Sequence, residues 1–149
     1  MPTLVGIAIR GEPGASMRIL GSVKVSIERG LEGNLPGGGR KSRKRQVTIL
    51  SVRQWVEMRE ELNDWPHWSV RRANLYLSGW RFGPDDVGKI IEIGDEVRLE
   101  IMGETTPCGQ MDKACPGLKA ALAKDWRGGV YCRVVKGGTI YPGDDVRFV

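Results

Sequence analysis

Apolar and polar residues alternate over short stretches along most of the chain, the period-two signature of half-buried strands. Residues 4–9 read as a first strand, with Gly6 marking a bulge or the close approach of another group. In residues 21–28 the alternation places Val23, Val25 and Ile27 on one face. The same reading gives strands over residues 46–50, 73–78, 89–95, 96–101, 130–135 and 145–148. Turn chemistry separates them: Gly11 to Ser16, Gly79, Pro84-Asp85-Asp86, and Gly137-Gly138. A long glycine-rich connection, residues 30–45, has the length of a loop that is either functional or disordered.

The periodicity changes only twice. Ser51-x-x-Gln54 has the form of a capping box, and Val52, Trp55, Val56, Arg59 and Leu62 fall near one helical stripe that Arg59 interrupts. This helix ends near Asn63-Asp64, ahead of Pro66. Pro116-Gly117 opens a second, short helix with Leu118, Ala121 and Leu122 facing inward. The pattern predicts a single domain over residues 1–149, mainly β: a mostly antiparallel barrel or sandwich with two or three short helices at its edge.

Composition narrows the setting. No apolar run approaches the ~18 residues of a membrane span, and the N-terminus lacks the basic and long apolar stretches of a signal peptide. The three cysteines form no CxxC pair, which argues against a disulfide framework and for a reducing, cytoplasmic setting.

Charge is uneven. Residues 1–50 carry nine Lys/Arg against three Asp/Glu, whereas the remainder is close to neutral. The excess comes from Arg40-Lys41-Ser42-Arg43-Lys44-Arg45. Such a block attracts anions and grips phosphate at contact, or it is a solvated loop. Aromatic residues for base stacking are absent from it and its flanks, which argues against nucleic acid.

The strongest chemical candidate is Cys108. Pro107 stops the preceding strand and Gly109 lets the chain turn, so the thiol is expected on a loop held between rigid elements. The competing reading is a small apolar side chain packed at a strand end. Cys132 shares a face with Val130 and Val134 and reads as core. Cys115, before Pro116, either packs or sits at a helix start that favours a thiolate. With His67, the only histidine, the cysteines have no familiar zinc spacing. His67 itself reads as a structural member of a Trp65–Trp68 cluster. No G-x-S-x-G, GxGxxG or Walker-type loop is present. Arg72 and Asn74, two apart on a strand, would project from one side, a cation beside an amide suited to a flat, phosphorylated ligand. A surface arginine with a turn-forming asparagine is the alternative.

Taken together, Gly30-Leu31-Glu32-Gly33-Asn34, Arg45 to Leu50, Arg72-Ala73-Asn74-Leu75 with Gly79, Ile93-Gly94-Asp95, Pro107-Cys108 and Arg127-Gly128-Gly129-Val130 through Gly138, Gly143 and Asp144 resemble the MOSC domain, named for the C-terminal domain of molybdenum cofactor sulfurases. The resemblance runs from about Gly6 to Phe148. It implies a β-barrel-like fold and a pocket for the molybdenum cofactor (molybdopterin). It implies that Cys108 ligates molybdenum or carries sulfur, and that Arg43, Lys44, Arg45, Arg72 and Asn74 hold the pterin and its phosphate. The activity implied is reduction of N-hydroxylated compounds or handling of sulfur and cofactor. That requires a small-molecule substrate and either a redox partner or a sulfur donor like a pyridoxal-phosphate-dependent cysteine desulfurase. Two features depart from the family: Gly33-Asn34 replaces Gly-Asp, and Gly109-Gln110-Met111 after the cysteine is not the sequence of the reductase branch. A small basic barrel that binds nucleic acid or another anionic partner without catalysis is the alternative class.

Overall fold

Three neighbouring strands of the main sheet are buried on both faces, and this decides where the helices and the small sheet pack. A computed structural model describes residues 2–35 and 45–149. The strands are β1 (Thr3–Ile9), β2 (Arg18–Leu20), β3 (Val23–Ser26), β4 (Gly30–Leu31), β5 (Val47–Ser51), β6 (Leu75–Ser78), β7 (Ile90–Ile93), β8 (Val97–Glu104), β9 (Val130–Lys136), β10 (Gly138–Ile140) and β11 (Val146–Phe148). Helices α1 (Val52–Leu62), α2 (Gln110–Ala114) and α3 (Leu118–Leu122), with 3-10 turns at Trp68–Arg71 and Pro84–Asp86, complete the order.

Eight strands form one sheet in the order β11-β7-β8-β9-β5-β6-β1-β2, and β10-β3-β4 form a second, smaller one. Within the large sheet only β5 and β6 pair in parallel. They need a crossover, which α1 and the turn after it supply. The protein is mainly β, as the alternation predicts. The ladder does not close into a continuous barrel; an isolated Thr3–Asp145 bridge joins the start of β1 to the residue before β11.

Because side chains alternate, β1, β5 and β6 feed two cores at once. Ile7, Ile49, Leu75 and Leu77 share one core with Val23, Val25 and Leu31 of the small sheet. Ala8, Leu50 and Tyr76 point the other way, against Trp55 and Met58 of α1, Trp68, and Leu118 and Leu122 of α3. Ile27 does not join the β3 face, because β3 ends at Ser26 and Ile27 is 44% exposed. Gly6 behaves as both readings expected. The β1–β6 register shifts between Leu4 and Gly6, and a Cβ on Gly6 would lie 2.8 Å from Trp68 Cζ2. Trp68 in turn stacks on Tyr76 at 5.0 Å and 9°.

Helix α1 starts where the capping box predicts, but only half of the box forms. Ser51 Oγ accepts from Gln54 N, whereas the Gln54 side chain turns inward to the Phe82 and Asp125 backbones. Its end is set by Asn63, in the left-handed region at φ 52°. The interruption at Arg59 has a use: its guanidinium donates twice to Pro66 O and lies over Trp55 and Trp65.

Candidate functional site

Cys108 sits on the loop between β8 and α2, exposed to solvent. Its carbonyl accepts from Met111 N, so the thiol leads directly into a helix that the sequence pattern does not show. Residues 110–114 form a single turn and a half that Met111 alone buries. The packed, apolar alternative for Cys108 therefore does not describe this thiol.

The loop is held by Arg71. This side chain is buried, and it donates from Nη2 to Thr105 O at 2.9 Å and from Nε to Gly128 O at 3.1 Å. Nη1 approaches the Met111 thioether at 3.8 Å. A single guanidinium thus ties the 3-10 turn, the end of β8, α2 and the turn before β9 together. Gly128 is required for the fit, because a Cβ there would collide with Thr105 O. Thr105 is fixed from the other side by its N–H to Gly129 O. Burial pushes the Arg71 guanidinium down to about 10; the charge of Cys108 pulls it up and that of Arg45 pushes it down. It remains a cation at neutral pH.

Around Cys108 and Arg71 lies a cleft of about 210 Å³. Arg10, Arg45, Arg71 and Arg72 all line it, and no Asp or Glu does among the described residues. Asn34 and Leu35 close one side; the Arg10 backbone donates to Asn34 Oδ1 and accepts from Leu35 N, which stitches the loops after β1 and β4 together. The asparagine that replaces the family's carboxylate is thus a cleft residue. Arg45 stacks over Tyr131 at 5.4 Å, and its Nε is buried with no hydrogen-bond partner among the described residues. Thr105 Oγ1 is buried and unpartnered in the same way. Buried polar atoms are normally satisfied; of the four that lack a hydrogen-bond partner among the described residues, these two belong to residues of the cleft and those of Trp80 and Arg127 do not.

Arg72 and Asn74 both line the cleft, but not as neighbours on a strand. The strand β6 begins only at Leu75, and Arg72 caps the 3-10 turn in the left-handed region at φ 64°. Arg72 is exposed, and no hydrogen bond or ion pair engages its side chain among the described residues. Asn74 is buried and largely committed: Oδ1 accepts from Thr48 N and Oγ1, and Nδ2 donates to Ala8 O. Arg43 and Lys44 lie outside the described residues, while Arg45 is in the cleft wall. Sequence reasoning passed over Arg71 because strand parity selected Arg72. The signal available was its position three residues after Trp68, on the inner side of a tight turn.

The other candidates fall elsewhere. Cys132 is fully buried, and burial pushes its thiol far up. Cys115 ends α2 rather than starting a helix, and its Sγ donates to Asp64 Oδ2 at 3.2 Å. Burial, followed by Asp64, raises that thiol, the reverse of the thiolate that a helix start would favour. His67 caps the 3-10 turn through Nδ1, which accepts from Ser69 N. Among the described residues no three His, Cys, Asp or Glu side chains cluster to hold a metal.

A second lobe of about 310 Å³ adjoins the cleft and shares Met17, Arg72, Gln110 and Met111 with it. It runs between residues 14–17, the 3-10 turn and α2.

A family model for the MOSC domain matches residues 18–147. Among solved structures, the chain is similar to the YuaD protein from Bacillus subtilis, with 22% identity and a TM-score of 0.77 over 99% of this chain and 96% of that one. YiiM from Geobacillus stearothermophilus gives 20% and 0.75 over 100% and 75%. YiiM from Escherichia coli gives 14% and 0.73 over 99% and 69%. At these identities the likeness is one of fold. No curated protein is significantly similar in sequence.

Proposed function

The chain belongs to the MOSC domain family, and from that premise we propose that it binds a molybdenum cofactor in the arginine-lined cleft with Cys108 as the sulfur ligand, and reduces small N-hydroxylated compounds there. One observation supports this most: an exposed thiol shares a cleft with four arginines and, among the described residues, no carboxylate. A soft thiolate suits a soft, redox-active metal. The arginines suit the phosphate and the oxygen-rich pterin of such a cofactor.

Each residue has a role in this reading. Arg45 would hold the anionic part, Arg72 would add its positive charge from the rim that the cleft shares with the second lobe, and Asn74 would offer its remaining N–H while keeping Thr48 and Ala8 in register. Arg43 and Lys44 belong to the same basic segment and would add to the phosphate grip. Arg71 would not touch the cofactor; it fixes the loop that presents Cys108 and supplies a buried positive charge behind it. Bound there, the cofactor would supply oxygen-atom chemistry in which an N–OH substrate, two electrons and two protons give N–H and water. The electrons would come from a redox partner protein.

Sulfur carriage on Cys108, loaded by a cysteine desulfurase, uses the same exposed thiol. The second lobe favours reduction, since a carrier needs an accessible sulfur but no adjoining cavity for a small molecule.

Metal analysis of protein from a host with intact molybdopterin synthesis tests the reading. Stoichiometric molybdenum, absent from protein made in a molybdopterin-deficient host, supports it. Protein without molybdenum from both hosts overturns it. Cys108→Ser is expected to abolish reduction of a hydroxylamine-type substrate, and a persulfide on Cys108 after incubation with a desulfurase would instead assign the carrier role.

A further inference from the structure

We propose that the second lobe is a binding subsite for small organic molecules with an apolar body and an anionic or acceptor-rich head, and that it rejects cations. The inference deepens the reading of the cleft as a reductase site, and rests on it only for the identity of the reaction. Val70, Ala114, Met17 and Met111 give the lobe its apolar side chains, and Ser16 and Ser69 line it beside them. Its boundary with the main cleft carries Arg72 and Gln110, both exposed and both without a hydrogen-bond or ion-pair partner for their side chains among the described residues.

The geometry sorts a ligand by its two ends. Thioethers adapt to irregular apolar shapes and favour aromatic edges, so the wall takes an aryl or short alkyl body. At the shared boundary a planar guanidinium and an amide offer donors in the forked arrangement that carboxylates and hydroxamates accept. Among the described residues neither lobe nor cleft is lined by an Asp or Glu, while four arginines line the cleft. A cationic head therefore meets the like charge of Arg72 at the boundary, with no Asp or Glu among the described lining residues to offset it. A ligand held by its head at Arg72 lies at the boundary of the cleft that Cys108 lines, with its body in the lobe.

The test uses the full chain labelled with ¹³C at its methionine methyls, titrated with benzoate and, separately, with benzylamine. Benzoate is expected to shift the Met17 and Met111 signals saturably, and benzylamine to leave them unmoved. Arg72→Gln is expected to weaken benzoate about ten-fold, the size of one lost charge-assisted hydrogen bond. Ala114→Trp fills the lobe and is expected to remove the shifts at both methionines. Val70→Trp serves the same purpose should Ala114→Trp fail to fold, as judged by its thermal melt. Binding of both probes alike, or benzoate shifts that persist in a folded lobe-filled variant, overturns the proposal. Molybdenum content separates the two readings. Benzoate bound in protein that never acquires molybdenum leaves the lobe standing and removes the reductase. Molybdenum bound with no benzoate response removes the lobe alone.

Discussion

Arg71 Nη2 donates to Thr105 O at 2.9 Å, and this one bond joins a buried cation to the strand end from which the Cys108 loop departs. The same guanidinium holds Gly128 O. Arg71→Met removes donors from two buried carbonyls and is expected to cost about 3 kcal/mol, given roughly 1–3 for each unsatisfied group. Urea unfolding should show a lower midpoint at an unchanged slope. Lysine, a point donor, cannot span both carbonyls, so Arg71→Lys should recover only part of the loss.

The cysteines should separate by accessibility. Cys108 is exposed, whereas Cys115 and Cys132 are buried with thiols pushed up by burial. Iodoacetamide under native conditions is expected to add a single group, at Cys108, and to add at all three positions only in denaturant. Peptide mass spectrometry reads the sites directly. A second native adduct at Cys115 would show that the bond to Asp64 opens readily.

Arg72 and Asn74 should differ in what they do to the fold. Asn74→Ala strips the partners from Thr48 N and Ala8 O and is expected to destabilise by about 2–4 kcal/mol. Arg72→Ala, at an exposed side chain, should fall within about 0.5 kcal/mol of the parent. Both should lower molybdenum content if both serve the cofactor. Thermal melts beside metal analysis distinguish a lost ligand contact from a lost fold.

Gly6→Ala tests the contact with Trp68. A Cβ at 2.8 Å from Cζ2 forces the indole off its stack on Tyr76. Overpacking of this kind costs about 1–3 kcal/mol. The melting temperature should fall, and near-ultraviolet dichroism should report the displaced tryptophan.

Glu92 gives an acid dependence. Hydrogen bonds from Arg147 and then Arg98 hold its carboxyl below the ordinary glutamate value, bracing β7 against β8 and β11. A depressed value in the folded state means that the stabilisation is complete above the unfolded value, near ~4.3, and is lost as pH falls through the folded one. The melting-temperature gap between the parent and Glu92→Gln should therefore shrink as pH is lowered from neutral to 3. Arg98 and Arg147 are exposed, so the gap should also narrow in high salt.

Much of the fold was legible because it depends on local pattern. Alternation marks the strands that reach a core, Ser51 and Asn63 mark the ends of α1, and Gly6 announces the close approach it accommodates. The alternation fails at Ile27, where the strand stops one residue early, and it does not mark residues 110–114, where a helix of five residues has too little length to display a period. Cys108 was legible too, because Pro107 ends the extended run without any tertiary contact; Gly109 is not the sharp turn expected of it, since at φ −59° it simply opens α2 in a conformation open to any residue.

What the sequence determined by itself is therefore the β-rich class, the boundaries of α1, the family and the place of Cys108 on a loop. The tertiary structure decided which arginine is buried, that Asn74 is committed to three backbone and side-chain partners, and that Cys115 is tied to Asp64. It also brought Arg10, Arg45, Arg71 and Cys108 to one cleft from four separate parts of the chain. The reason is physical. Periodicity records the face on which a residue lies relative to its neighbours in sequence, whereas burial and partnership depend on what the chain brings back across that face. A left-handed Arg72 turns the parity of the segment before β6, and no local pattern carries that information.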